Sequence, residues 1–198
     1  LIFAAIAAKI SHSLYTTATP HHGFFHISAD RDGIIRRAHL IGKYQDVLFP
    51  SFALKTVSLA LHREIVVQFD DLGIQNIFLD GETIPTDTSG EIWINYAGPS
   101  GTFPSYSFSD VYHPTPKSIF KDKIVLIGAT AKGVGDLRAS ALDRAHTGIE
   151  INATIIENLL HKNYLLRSHT LLICEMLFIL LMGFLLSLLF QKLHALSS

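Results

Sequence analysis

Apolar positions along the chain fall into blocks of distinct period. Residues 50–62, PSFALKTVSLALH, put Phe52, Ala53, Val57, Ala60 and Leu61 on one face at helical spacing. That predicts a helix with Pro50 near its first turn, where a missing N–H costs nothing. Thr147–His161 predicts a second, with Ile151, Ile155, Asn158 and Leu159 recurring on one side. Leu1–Tyr15, rich in Ala, Ile and Leu, reads as another, and Tyr106–Tyr112 as a short helix behind a Ser cap. Strand signals cover Ile65–Phe69, Ile74–Leu79 and Ile92–Tyr96, with Asp80-Gly81 and Asp87 to Gly90 as turns. Phe24–Ile27 and Ile34–Ile41 flank Asp30-Arg31-Asp32-Gly33, so a β-hairpin is predicted over residues 24–41.

The strongest buried-strand pattern is Phe120–Asp136, FKDKIVLIGATAKGVGD. Ile124 to Ile127 is an unbroken apolar run, as in a parallel strand covered on both faces. It is expected to be the central strand, and loops leaving the carboxyl ends of such strands form ligand crevices. The fold class expected is α/β: a mixed, mainly parallel central sheet flanked by helices.

A different period governs the last block. Leu171–Phe190 holds one charged residue, Glu175, and its apolar residues cover every face. Twenty residues make about 30 Å of helix, the depth of a bilayer core. A transmembrane helix is expected over residues 168–192, following a domain over residues 1–166. A mean hydropathy of +0.33 for the 198 residues reflects this block. Lys162 and Arg167 precede it and only Lys192 follows, a weak charge bias for an inside location of the domain. The chain begins without Met and stops just after the apolar block, so it is expected to be a piece of a longer protein.

Charge and chemistry narrow the function. A formal net charge of −1 gives no general attraction to nucleic acid. The single cysteine, Cys174, excludes an internal disulfide and a cysteine metal site. The glycines of Gly128–Asp136 lack the Gly-Lys-Ser/Thr ending of a phosphate loop and no apolar helix follows at once. Asp30-Arg31-Asp32-Gly33 begins like a calcium loop but has no later ligands, so it reads as a turn. His21, His22 and His26 lack a completing carboxylate or Cys spacing and read as a surface cluster. No nucleophile elbow or His-Glu-x-x-His is present. No catalytic residue, metal or cofactor is therefore assigned.

Several segments together resemble one family, the CHASE type 2 sensor domain (cyclase/histidine-kinase-associated sensory extracellular). They are Asp30 to Arg37, Phe49 to Ala53, Ile84 to Gly90, Ile94 to Pro99, Phe108 to Val111, Phe120 to Asp136, Gly148 to Ala153 and Asn158 to Leu160. The resemblance implies a ligand-sensing input domain of a bacterial receptor. Residues 1–166 would lie outside the cytoplasmic (inner) membrane, without the first part of the family's domain. The signal would cross to an adenylate or guanylate cyclase, histidine kinase or Ser/Thr kinase. Implied partners are the membrane, a small-molecule or peptide ligand, and a second copy through the full-length receptor. Turn and strand-end placement with polar chemistry selects Asp30, Asp32, Arg36, Tyr96, Thr130 and Asp136 as the ligand-binding candidates. The segment after Asp136 departs from the family, with Arg138 to Asp143 where a Thr-Pro pair is common. The alternatives are a membrane-tethered α/β enzyme acting on a small molecule in the same crevice, and a dimerisation module.

Overall fold

The structure is a computed structural model that describes residues 2–4, 21–44, 47–71, 73–112, 117–130, 137–166 and 169–196. In chain order the elements are β1 (Ile2–Ala4), β2 (Ile34–Ile35), β3 (Arg37–His39), β4 (Ile41–Tyr44), β5 (Val47–Pro50) and α1 (Phe52–Leu61). There follow β6 (Ile65–Asp70), β7 (Gly73–Leu79), β8 (Glu82–Ile84), β9 (Glu91–Trp93) and α2 (Phe108–Tyr112). After a 3₁₀ turn at Lys117–Phe120 come β10 (Val125–Ile127), β11 (Leu137–Ser140), β12 (His146–Thr147), α3 (Gly148–His161) and α4 (His169–Leu196). The chain forms two compact units, Leu1–Leu165 and Leu166–Ser198.

The first unit is mixed α/β, but its strands form several small sheets rather than one central, mainly parallel sheet. Among the described strand pairs β1–β10 and β2–β11 run parallel, as does the isolated bridge Phe24↔Ser51; the other strand pairs are antiparallel. Local turns explain this. Asp80 and Gly81, both at positive φ, close β7 onto β8 directly, which needs no crossover helix. β10 pairs with β1 at Ile2↔Val125 and is only half-buried, with Ile127 50 % exposed. An unbroken apolar run therefore did not mean burial on both faces. Ile2–Ala4 is this partner strand and not the start of a helix; residues 5–15 lie outside those described.

The hairpin expected over residues 24–41 is also corrected. Its turn forms, with Gly33 N–H donating to the Asp30 carbonyl at 2.9 Å and Gly33 at φ 81°. Its arms part, because β2 pairs with β11 and β3 with β9. Phe24 instead bridges to Ser51.

Two helices build the core. Ser51 caps α1, its Oγ accepting from Leu54 N–H at 3.2 Å, while Pro50 sits one residue earlier, in β5. Thr147 caps α3, accepting from Glu150 N–H at 3.4 Å. α1 and α3 pack together and bury Ala53, Leu54, Val57, Ile151, Ile155 and Leu159. Each such aliphatic side chain contributes roughly 1.5–3 kcal/mol on burial. α2 starts two residues later than expected, capped by Ser107: Ser107 Oγ accepts from Asp110 N–H at 3.1 Å and Asp110 Oδ2 accepts from Ser107 N–H at 3.2 Å.

In the second unit, every described side chain of α4 is exposed. Among the described residues no helix is long and apolar enough to cross a membrane, so the span expected over residues 168–192 is not shown.

Candidate functional site

Three of the sequence-selected residues meet in one ionic cluster. The turn at Asp30–Gly33 brings both aspartates back over the strands that follow. Arg36 donates to both Asp32 oxygens, Nη1 to Oδ1 at 3.0 Å and Nη2 to Oδ2 at 2.7 Å. Its Nη1 also donates to Asp30 Oδ2 at 2.9 Å. Arg37 takes the other Asp30 oxygen at 2.8 Å and reaches Glu91 Oε2 on β9 at 2.8 Å. His39 Nε2 lies 3.1 Å from Glu91 Oε1, and the Arg37 guanidinium sits 5.6 Å from the centre of the Trp93 ring.

The electrostatics follow from this sharing. Arg37 first, then Arg36, holds the Asp30 carboxyl below the ordinary carboxylate range. The fork from Arg36, helped by the Ile34 N–H, lowers Asp32 to about 2. Both guanidiniums are pushed up in turn, Arg36 chiefly by Asp32 and Arg37 chiefly by Asp30. Two arginines face three carboxylates, so the cluster is a closed exchange of charge and not an empty anion hole. Each of its side chains keeps some exposure, from 14 % at Glu91 to 51 % at Asp32. A charged ligand could thus compete for either partner.

Tyr96 stands behind the cluster. Its hydroxyl donates to the Ile35 carbonyl at 3.0 Å, and burial pushes its phenol up. Its ring lies 5.4 Å from that of His146. Thr130 is exposed beyond the end of β10, with no hydrogen bond to the cluster among the described residues. Asp136 lies outside the described residues. Just before Thr130, a Cβ on Gly128 would lie 3.1 Å from Ile149 of α3, so close helix packing accounts for that glycine.

Sequence reasoning passed over Glu91, His146, Ser140 and the structural role of Asn158. Ser140 Oγ lies 3.0 Å from His146 Nδ1, a nucleophile-and-base spacing. Their burial answers it: Ser140 is 6 % and His146 1 % exposed. The serine oxygen already accepts from Leu142 and Asp143 N–H and donates to the Asp143 carbonyl. It is a corner of the β11–β12 turn. Glu150 is likewise occupied, accepting from Gly101 N–H, Ser100 Oγ and Thr147 Oγ1.

The linkage to α3 is more informative. Asn158, 2 % exposed, accepts from Asn95 N–H at 2.9 Å and donates to the Asn95 carbonyl at 2.9 Å. Asn95 and Tyr96 are adjacent, so one short segment holds both β2 and α3. A polar residue at an apolar helical position was the available signal for Asn158.

Among known proteins, the family model described as the CHASE2 domain matches residues 3–188. No curated protein and no solved structure matches the chain.

Proposed function

The chain belongs to the CHASE2 domain family, a family of sensory domains, and on that premise we propose a specific role for it. It is the extracytoplasmic ligand-sensing input domain of a bacterial membrane receptor whose cytoplasmic output is a cyclase or kinase. Residues 168–192 cross the membrane, and two copies associate through the full-length receptor. In support of the crossing, helix runs unbroken over His169–Leu196 and the sequence from Leu171 to Phe190 carries only Glu175 as a charge.

Asp30, Asp32, Arg36 and Tyr96 form the core of the sensing region, to which Thr130 and Asp136 are also assigned. A ligand bearing a carboxylate or an ammonium displaces one internal partner of the cluster. It shifts the domain only by binding one arrangement more tightly than the other. The observation that carries this reading is the pair of linkages made by adjacent residues: Tyr96 to Ile35 and Asn95 to Asn158. A shift of β2 and β3 is thereby delivered to α3, and along the chain to α4.

The test is a thermal-shift screen of small charged molecules on the full chain in lipid nanodiscs. A true ligand at 100 times its Kd adds about 2.7 kcal/mol of stability. Arg36→Gln is expected to abolish that gain. A stabilising ligand that acts equally on Arg36→Gln would place the sensing site elsewhere.

A further inference from the structure

An open groove of about 550 Å³ lies between α1, the β4–β5 hairpin and one face of β6, and shares no residue with the ionic cluster. Ile65, Val67 and Phe69 line it, as alternate residues of a strand must if one face forms a floor. Leu48 of β5 stands opposite, and Phe69 and Leu48 remain 49 % and 40 % exposed. Among the described residues the polar lining is unequal in charge: Lys55 and Arg63 against Glu64, with Ser58.

Lys55 is the informative residue. It is half-buried on α1, and its helical neighbours Ser51, Phe52, Ser58 and Leu59 carry no charge. Among the described residues it makes no ion pair. Arg63 is held loosely, 3.4 Å from Asp80 and 3.9 Å from Glu82. The Ser58 hydroxyl is committed to the Arg63 carbonyl at 2.6 Å. An apolar floor beside an ammonium with no ion pair among the described residues is complementary to a molecule with an apolar body and one carboxylate.

We propose that this groove is a second binding site, for a small amphipathic carboxylate whose apolar body covers Ile65, Val67 and Phe69 and whose anion meets Lys55. Arg63 supplies a further N–H, and Glu64 disfavours ligands with a second negative charge.

The probe is 4-phenylbutyrate, titrated onto the full chain in nanodiscs with empty discs subtracted; 4-phenylbutyramide is the neutral control. Saturable binding of the acid is expected, with the amide about tenfold weaker, the value of a charge-assisted hydrogen bond. Lys55→Gln should weaken the acid by about tenfold and Lys55→Arg should retain it. Arg36→Gln should leave it unchanged, which separates this groove from the ionic cluster. The proposal is overturned by equal binding of acid and amide, by no effect of Lys55→Gln, by an equal loss in Arg36→Gln, or by no saturable binding.

Discussion

Replacing Asn158 by Ala tests how firmly α3 is tied to the sheet. The side chain satisfies both backbone groups of Asn95, each at 2.9 Å. Truncation removes two hydrogen bonds worth about 1 kcal/mol each and leaves a donor and an acceptor stranded at a further ~1–3 kcal/mol. Asn152 supplies the control. It has the same 2 % exposure and lies on the same helix, but its Nδ2 donates to the Gly148 carbonyl within α3, at 2.9 Å. Asn152→Ala removes the same atoms at the same depth, so the cavity contributions cancel to first order. The expected difference is about 2 kcal/mol. It can be read by urea unfolding of the full chain with Trp93 fluorescence, since Trp93 is the only tryptophan and lies two residues from Asn95. At a slope of ~2 kcal/mol per molar, the Asn158→Ala midpoint should fall about 1 M below that of Asn152→Ala. Equal midpoints would refute the assigned role.

Two further outcomes are expected. Asp30 and Asp32 ionise at lower pH folded than unfolded; for Asp32, lowered to about 2, the ion pair contributes fully above about pH 4 and fades as pH falls through about 2. Asp32→Asn should flatten the acid limb of the Trp93 unfolding curve in that window, and added salt should reproduce part of the loss. Gly73→Ala should destabilise more than Gly81→Ala. Both have positive φ, but a Cβ at Gly73 would lie 2.5 Å from the Thr88 carbonyl oxygen, whereas nothing stands within 4 Å at Gly81. Comparing the two urea midpoints checks this, and a Gly73→Ala midpoint at or above that of Gly81→Ala would contradict it.

What could be read from sequence divides by range. Helical period and caps act within a few residues, so α1, α2 and α3 were placed nearly to their ends. The Asp30–Gly33 and Asp80-Gly81 turns were equally local. Pairing is not local. Nothing near Ile34 says that it will lie beside Ala139, or that Arg37 will lie opposite Trp93 and bring Glu91 within reach. β11 went unseen because Leu137–Ser140 has no apolar run; its pairing with β2 is what makes it a strand. The candidate site was legible only as chemistry. The turn aspartates and Arg36 were selected together and meet in one ionic cluster, but their mutual saturation, and the part of Arg37 and Glu91 in it, depends on register. Thr130 was chosen for its loop, and among the described residues no hydrogen bond ties it to the cluster.

The exit of α3 shows why the linkage matters. Beyond His161 the chain does not leave freely. Lys162 Nζ meets Glu82 of β8 at 2.6 Å, Asn163 N–H returns to the Asn158 carbonyl at 3.0 Å, and Leu165 bridges to Trp93 of β9. The Lys162–Glu82 pair is exposed and contributes little alone. Asn158 is buried and bonded to Asn95 through both its polar atoms, so it fixes the helix while the exposed contacts follow. Moving α3 along its axis by even one residue, ~1.5 Å, would break both Asn95 bonds at once. The helix therefore holds position until the Asn95–Tyr96 segment itself moves. Tyr96 is bonded to Ile35, the residue before Arg36. Under the proposed role, a change in the partners of Arg36 and Arg37 would act on the Asn95–Tyr96 segment, which is bonded to α3 through Asn158.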